Sequence, residues 1–199
     1  MSKRGAFICI EGLDGAGKTT HAKLLVEKLR GAGVPARYTK EPSDGSIGRL
    51  IRRFVLDREK RVNPVVEALL FAADRIDHIE REIEPALKMG EVVVSDRYLY
   101  SSLAYQGAVG LDLDWVKEIN RFALKPDVAI YIDVPVEVAV KRLRGKRSVM
   151  EKIENQKAVR KLYLGMVESG VLSLIDGNRD KKDVSQEIYE LVCKLIKID

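Results

Sequence analysis

Gly12-Leu13-Asp14-Gly15-Ala16-Gly17-Lys18-Thr19 follows closely on the apolar run Ala6-Phe7-Ile8-Cys9-Ile10. The pattern G-x-x-x-x-G-K-[ST], set between a strand-like run and a helix-like one, is that of a phosphate-binding loop. Its physical cause lies in the backbone: the glycines let successive N–H groups turn towards one phosphate. Lys18 adds a positive charge, and Thr19 offers a hydroxyl to Mg²⁺ at a helix N-terminus. A chain with this arrangement is expected to handle a nucleotide.

Working outward, residues 19–30 place Ala22, Leu25, Val26 and Leu29 at helical spacing, with Gly31 and Gly33 as a stop, and residues 36–40 can form a second strand. A long helical region over residues 64–89 ends at Gly90, and Val92-Val93-Val94 forms a third strand that delivers Ser95-Asp96-Arg97. Helical patterns over residues 100–105 and 115–124 lead to a fourth strand over residues 128–133. A helix to Leu143, a basic loop and a helix through Val167 follow. Residues 171–175 and 184–196 supply a last strand and helix. Five short apolar strands alternating with helices predict an α/β fold, a five-stranded parallel sheet with helices on both faces. Ligands of such sheets bind at the carboxyl ends of the strands, so the loops after Ile10, Lys40, Val94, Asp133 and Ile175 are expected to face one cleft.

The 199 residues suit a single domain, and a 46% hydrophobic composition argues against disorder. Thirty-five basic and thirty acidic residues leave a mild net charge of +5. Spread along the chain, that excess suits small anionic substrates better than nucleic acid. Cys9 and Cys193 lack metal-ligand spacing and read as core residues of a reducing compartment, so the cytoplasm is expected. No apolar stretch approaches a membrane span, and the first residues lead into a strand rather than a signal peptide.

The cleft is cationic. Lys18, Arg75, Arg97 and the run Lys141-Arg142-Leu143-Arg144-Gly145-Lys146-Arg147 offer four sources of positive charge. A kinase must neutralise donor and acceptor phosphates at once, so this distribution favours transfer between two phosphorylated molecules. The basic run, with Gly145 as a hinge, reads as a closing lid over about residues 143–152. Asp96 stands where a strand-end carboxylate holds Mg²⁺, directly or through water, and Arg97 beside it can clamp phosphate bidentately. Asp14, inside the loop, needs a metal, a cation or a sugar hydroxyl to offset repulsion from polyphosphate. Phe71 and Arg75 share a helix face. They are either a core ring with a solvated guanidinium or a pair that stacks on a base and binds its edge. His21 and His78 lie on helices without metal-ligand company and read as polar helix-surface residues.

These residues carry a resemblance. Gly12 through Thr20, Glu41-Pro42, Phe71-Ala72-Ala73-Asp74-Arg75, Asp96-Arg97-Tyr98, Ser101-Ser102-Leu103-Ala104-Tyr105-Gln106-Gly107 and Pro126-Asp127-Val128 through Asp133 resemble the ordered signatures of the thymidylate kinases, P-loop nucleoside monophosphate kinases. The likeness spans nearly the whole chain, and D-R-Y followed by S-S-x-A-Y-Q-G is its most specific part. It implies a P-loop NTPase fold with a small lid, a homodimer, and transfer of the ATP γ-phosphoryl group to dTMP with Mg²⁺.

By position, Gly12, Leu13, Asp14, Gly15, Ala16, Gly17, Lys18, Thr19 and Thr20 would bind ATP, with Thr19 and Asp96 on the metal. Phe71 would stack on thymine and Arg75 would bond its edge. Ser102 would contact the base, and Tyr105 would crowd the sugar 2′ position with Gln106 alongside. Asp14, Glu41 and Arg97 would complete the acceptor site, with Arg97 on its phosphate. Gly15 stands where one branch of the family carries a catalytic arginine, so the chain resembles the branch that takes it from the lid, and Arg144 and Arg147 are the candidates beside Lys18 and Arg97. Lys40 replaces a common arginine, Ser43-Asp44 replaces a glycine pair, and Met150-Glu151-Lys152-Ile153-Glu154 departs from the usual run. A deoxynucleoside kinase, another monophosphate kinase or an inactive nucleotide-binding homologue remain as alternatives. A guanine-reading switch is disfavoured by the lack of N-K-x-D.

Overall fold

The computed structural model describes residues 5–54, 62–143 and 153–197. Strands β1 (Phe7–Gly12), β3 (Val92–Asp96) and β4 (Val128–Asp133) are mainly apolar runs buried along almost their whole length. Such strands need cover on both faces and take the middle of a parallel sheet. The more polar β2 (Ala36–Lys40) and β5 (Ser173–Asp176) form its edges, in the order β2-β3-β1-β4-β5 with every pairing parallel. All five strands therefore end on the same side, as the alternation of strands and helices predicts.

Helix α1 (Lys18–Gly31) buries Ala22, Leu25, Val26 and Leu29 at the predicted spacing. The chain continues through α2 (Ser46–Phe54), α3 (Pro64–His78) and, after a π-helical turn over Ile79–Ile83, α4 (Glu84–Lys88). Then come α5 (Leu99–Ala108), α6 (Leu113–Ile119), α7 (Val136–Arg142), α8 (Ile153–Glu168) and α9 (Lys181–Ile196). Helices α1 and α9 pack together over the sheet, and α5 and α8 pack together over it as a second layer.

Three local outcomes depart from the reading of the sequence. The helix expected over residues 64–89 is interrupted by the π turn, just ahead of Pro85. Proline has no N–H to donate and its ring crowds the carbonyl four residues back, so the ladder widens there. The helix expected over residues 115–124 stops at Ile119, with Asn120 as its cap. Helix α2 was not expected: the reading passes from the strand over residues 36–40 to the helix from residue 64. It forms because Ile51 is wholly buried, α2 packs on α3, and Arg49 and Arg52 donate to the Asp44 and Pro42 carbonyls. Among the described residues no helix is long and apolar enough to cross a membrane.

Candidate active site

The loop between β1 and α1 lines a cleft of about 570 Å³ together with Lys40, Glu41, Asp96, Arg97, Arg142, Gly177, Arg179 and Lys181. Residues following four strands and the end of α7 thus meet at the carboxyl edge of the sheet. Gly17 caps α1 in the left-handed region at φ 97°. Gly15 lies at φ 86°, and a Cβ there would fall on the Ala139 carbonyl of α7. No side chain, an arginine least of all, fits that position without moving α7. Gly12 and the buried Leu13 shape the turn from behind, the Leu13 carbonyl accepting from Lys18 Nζ at 2.8 Å, while Asp14 through Thr20 face the cleft.

Lys18 is held against the loop with its Nζ 3.8 Å from Asp14 Oδ1. Burial, then the nearby Arg97 charge, pulls its pKa down to about 8. Burial pushes the Asp14 carboxyl up, but the charges of Arg97 and Lys18 outweigh it and hold the group below its ordinary range. The sequence left Asp14 in need of a cation, and the fold supplies two.

Asp96 ends β3 next to the loop, and its Oδ2 accepts from the Thr19 hydroxyl and, at 3.5 Å, from Tyr38 OH. Its Oδ1 is buried and has no hydrogen-bond partner among the described residues. An unpaired carboxylate oxygen beside a phosphate-binding loop suits a hard cation such as Mg²⁺, which takes one or two protein oxygens and completes its shell with phosphates and water. Among the described residues no cluster of three His, Cys, Asp or Glu competes for a metal.

Arg97 has φ 72°, a left-handed conformation unusual for a side-chain-bearing residue. Its N–H donates to the Ile10 carbonyl at 3.0 Å, and Ser95 Oγ donates to its carbonyl at 2.7 Å. Buried Glu11 secures the next turn, accepting from Tyr98 N, Ser101 N and Ser101 Oγ, and from Tyr163 OH of α8 at 2.9 Å. Strain of this kind costs about 1–3 kcal/mol and persists where surrounding bonds over-determine it. The result aims the Arg97 guanidinium at Asp14, with Ser101 Oγ at 3.0 Å and the Tyr105 ring centre 5.0 Å away. Arg97 and Tyr105, 8 positions apart in sequence, thus form one wall.

Arg75 is 1% exposed, which decides against a solvated guanidinium. Its Nε and Nη2 grip Glu41 Oε2 at 3.1 and 2.7 Å, Nη2 also donates to Ser102 Oγ at 3.1 Å, and Nη1 donates to Asn120 Oδ1. Phe71, one turn earlier on α3, is half-buried. The preceding Asp74 accepts from Ser43 N and Oγ at 2.7 and 2.6 Å, so the Asp74-Arg75 pair pins both sides of the Glu41-Pro42 bond. Gln106 is buried on α5 with its Oε1 unpartnered among the described residues.

Two readings are corrected. His78 is fully buried and His21 is 6% exposed, so neither is a helix-surface residue. His21 lies against Gly17 on the wall of the cleft, and His78 packs behind Glu41. Arg144, Arg147 and most of the expected lid over residues 143–152 lie outside the described residues. Arg142, at the end of α7, does face the cleft. Reading the sequence missed Asn120, Arg179 and Lys181, which belong to no local motif; Asp133, the end of the fourth strand's signature, binds Arg160 of α8 at 2.8 and 2.7 Å.

A family model described as "Thymidylate kinase" matches residues 10–188. A protein of Thermococcus onnurineus named "Probable thymidylate kinase" is 46% identical over 94% of this chain and 96% of its own length. One of the same name from Pyrobaculum aerophilum is 43% identical over 96% of this chain and 98% of its own. One from Staphylothermus marinus is 40% identical over 94% of each. The matched span runs from β1 into α9 and takes in the loop, the Asp74-Arg75 pair and the Asp96-Arg97 corner, and the chain belongs to the thymidylate kinase family.

Proposed function

We propose that the chain transfers the γ-phosphoryl group of ATP to dTMP, yielding dTDP and ADP. The observation that carries this reading is the placement of Arg97, Asp14 and Lys18 as one charged seam between the phosphate-binding loop and the pocket of Arg75, Ser102 and Tyr105. A donor phosphate on the loop and an acceptor phosphate on Arg97 would face each other across it. An acceptor phosphate oxygen attacks the γ-phosphorus, a new P–O bond forms, the bond to the β-phosphate oxygen breaks, and ADP leaves. The attacking phosphate is already an anion, so no general base is required, and catalysis reduces to in-line positioning and charge neutralisation.

In this reading the loop N–H groups and Lys18 hold the donor phosphates, and Arg97 holds the acceptor. Thr19 and Asp96 would hold Mg²⁺, which neutralises charge on the phosphates when bound. Phe71 stacks on the base, Arg75 and Ser102 read its edge, Tyr105 and Gln106 crowd the sugar, and Glu41 keeps Arg75 in place. The obstruction above Gly15 supports a catalytic arginine supplied by the lid, for which Arg144 and Arg147 remain the candidates. We further propose a homodimer, supported by Val65, Val66 and Leu69 exposing 42%, 45% and 47% of their surface along α3. A cytoplasmic location accords with the two unpaired cysteines.

The test is coupled ADP release with Mg-ATP and a panel of dTMP, dUMP, dCMP, dAMP, dGMP and thymidine. Preference for dTMP supports the proposal. Preference for thymidine would move it to the nucleoside kinases, and ATP binding without turnover would indicate an inactive homologue.

A further inference from the structure

We propose that His78 is a positioning residue of the acceptor site, clamped behind Glu41 so that Glu41 in turn holds the Arg75 guanidinium at the base pocket. The inference rests on the reading of Arg75 as the residue that meets the acceptor base.

His78 ends α3, three residues after Arg75, and no part of it reaches solvent. Its Nδ1 lies 3.3 Å from Glu41 Oε1. Its Nε2 lies 2.7 Å from Thr39 Oγ1 on β2 and 3.5 Å from Glu82 Oε2 on the π turn. The two carboxylate oxygens of Glu41 are thereby divided, Oε1 towards His78 and Oε2 towards the Arg75 fork. A carboxylate fixed at one oxygen can pivot about its Cγ–Cδ bond, whereas one fixed at both cannot. His78 thus removes the freedom that would let Arg75 drift from Ser102 and Asn120.

An imidazole suits this place because its two nitrogens point in opposite directions and both donate when it is protonated. The groups facing it are Thr39, Glu41 and Glu82, with Arg75 beyond Glu41 and Arg37 acting on Glu82 from β2. Buried Glu41 and half-buried Glu82 both turn a carboxylate towards the ring, a setting that favours an imidazolium. Burial pulls the ring pKa down, but hydrogen bonds to Glu41 and Glu82 outweigh it and raise it to about 9. The ring is therefore charged at neutral pH and loses that charge as pH rises through about 9, which weakens its hold on Glu41 from a charge-assisted hydrogen bond to at most a neutral one.

The experiment is steady-state kinetics of the full chain at pH 6.5 to 9.5 with H78A, H78Q and R75K, each checked for folding by circular dichroism and thermal melting. H78A is expected to raise KM for dTMP about tenfold at pH 7, the worth of one charge-assisted hydrogen bond. KM for ATP should stay within about twofold. H78Q, whose amide can still donate to Glu41, should restore most of the affinity. The ratio of the H78A KM for dTMP to that of the unaltered chain should fall as pH rises through about 9. That ratio cancels the deprotonation of thymine itself, which affects both proteins equally. H78Q also keeps the test decisive should H78A not fold.

Equal rises in both KM values, or a pH-independent ratio, would reduce His78 to a packing residue and overturn the inference. So would a raised KM for dTMP in R75K with no change in H78A or H78Q. An unchanged KM for dTMP in R75K overturns the acceptor-site reading itself, a separate and recognisable failure.

Discussion

The two halves of the cleft are built by different means. The proposed donor side is a contiguous loop, with glycines at φ 86° and 97° and one lysine folded back on the Leu13 carbonyl. The proposed acceptor side is a chain of side chains drawn from the end of β2, α3, α5 and the cap of α6, joined by Arg75 to Glu41, Ser102 and Asn120 across sequence separations of 34, 27 and 45 residues. A backbone cradle depends on permitted dihedrals and fails when a side chain intrudes. A side-chain network depends on several elements arriving in register, and weakens by degrees as members are removed.

That contrast predicts which changes act on which substrate, beginning with the largest. Lys18→Ala removes the one positive charge of the loop, and turnover should drop about a thousandfold with the fold intact, as circular dichroism would verify. Near-normal turnover would refute the mechanism. Arg75→Lys keeps a charge but loses the fork, so KM for dTMP should rise about tenfold to a hundredfold while KM for ATP holds. A matching rise for ATP would erase the division between the two halves.

Gly15→Ala places a Cβ against Ala139 in a left-handed conformation. It should lower kcat/KM for ATP about tenfold, with a few degrees lost from Tm. An effect confined to dTMP would contradict the placement of the loop. Asn120→Ala takes one acceptor from Arg75, and a rise of about fivefold in KM for dTMP should appear, since one hydrogen bond contributes about 1 kcal/mol.

The smallest effect concerns stability. His78 has its pKa raised to about 9 from 6.5, so its contribution is present in full below pH 6.5 and is lost as pH rises through 9. Between pH 7 and 10 the unaltered chain should lose a few degrees more in Tm than H78Q, measured side by side. Equal losses would mean that the imidazole is not charged in the folded protein.

Legibility followed the same division. The loop was readable because its residues are adjacent and their geometry is enforced by glycine and by the start of α1. Asp96-Arg97 was readable as charge at the end of a buried strand. Arg75 could be read in two ways, and its burial removed the solvated one. Asn120 looked like the middle of a helix, and only the cap of α6 turns it towards Arg75. His78 carried no signal at all, because a histidine at a helix end looks alike whether water or Glu41 lies beside it. Helix α2 was hidden by Gly45 and Gly48, since local propensity for a loop was overcome by packing of Ile51.

The sequence by itself determined the parallel sheet, its five strands and the phosphate-binding corner, because apolar periodicity and glycine chemistry act over a few neighbouring residues. Only the tertiary structure decided which buried charges pair, how Glu41 is shared between Arg75 and His78, and why position 15 must stay a glycine. Each of those depends on the distance between elements far apart in the chain, and that distance is fixed by packing rather than by any local preference.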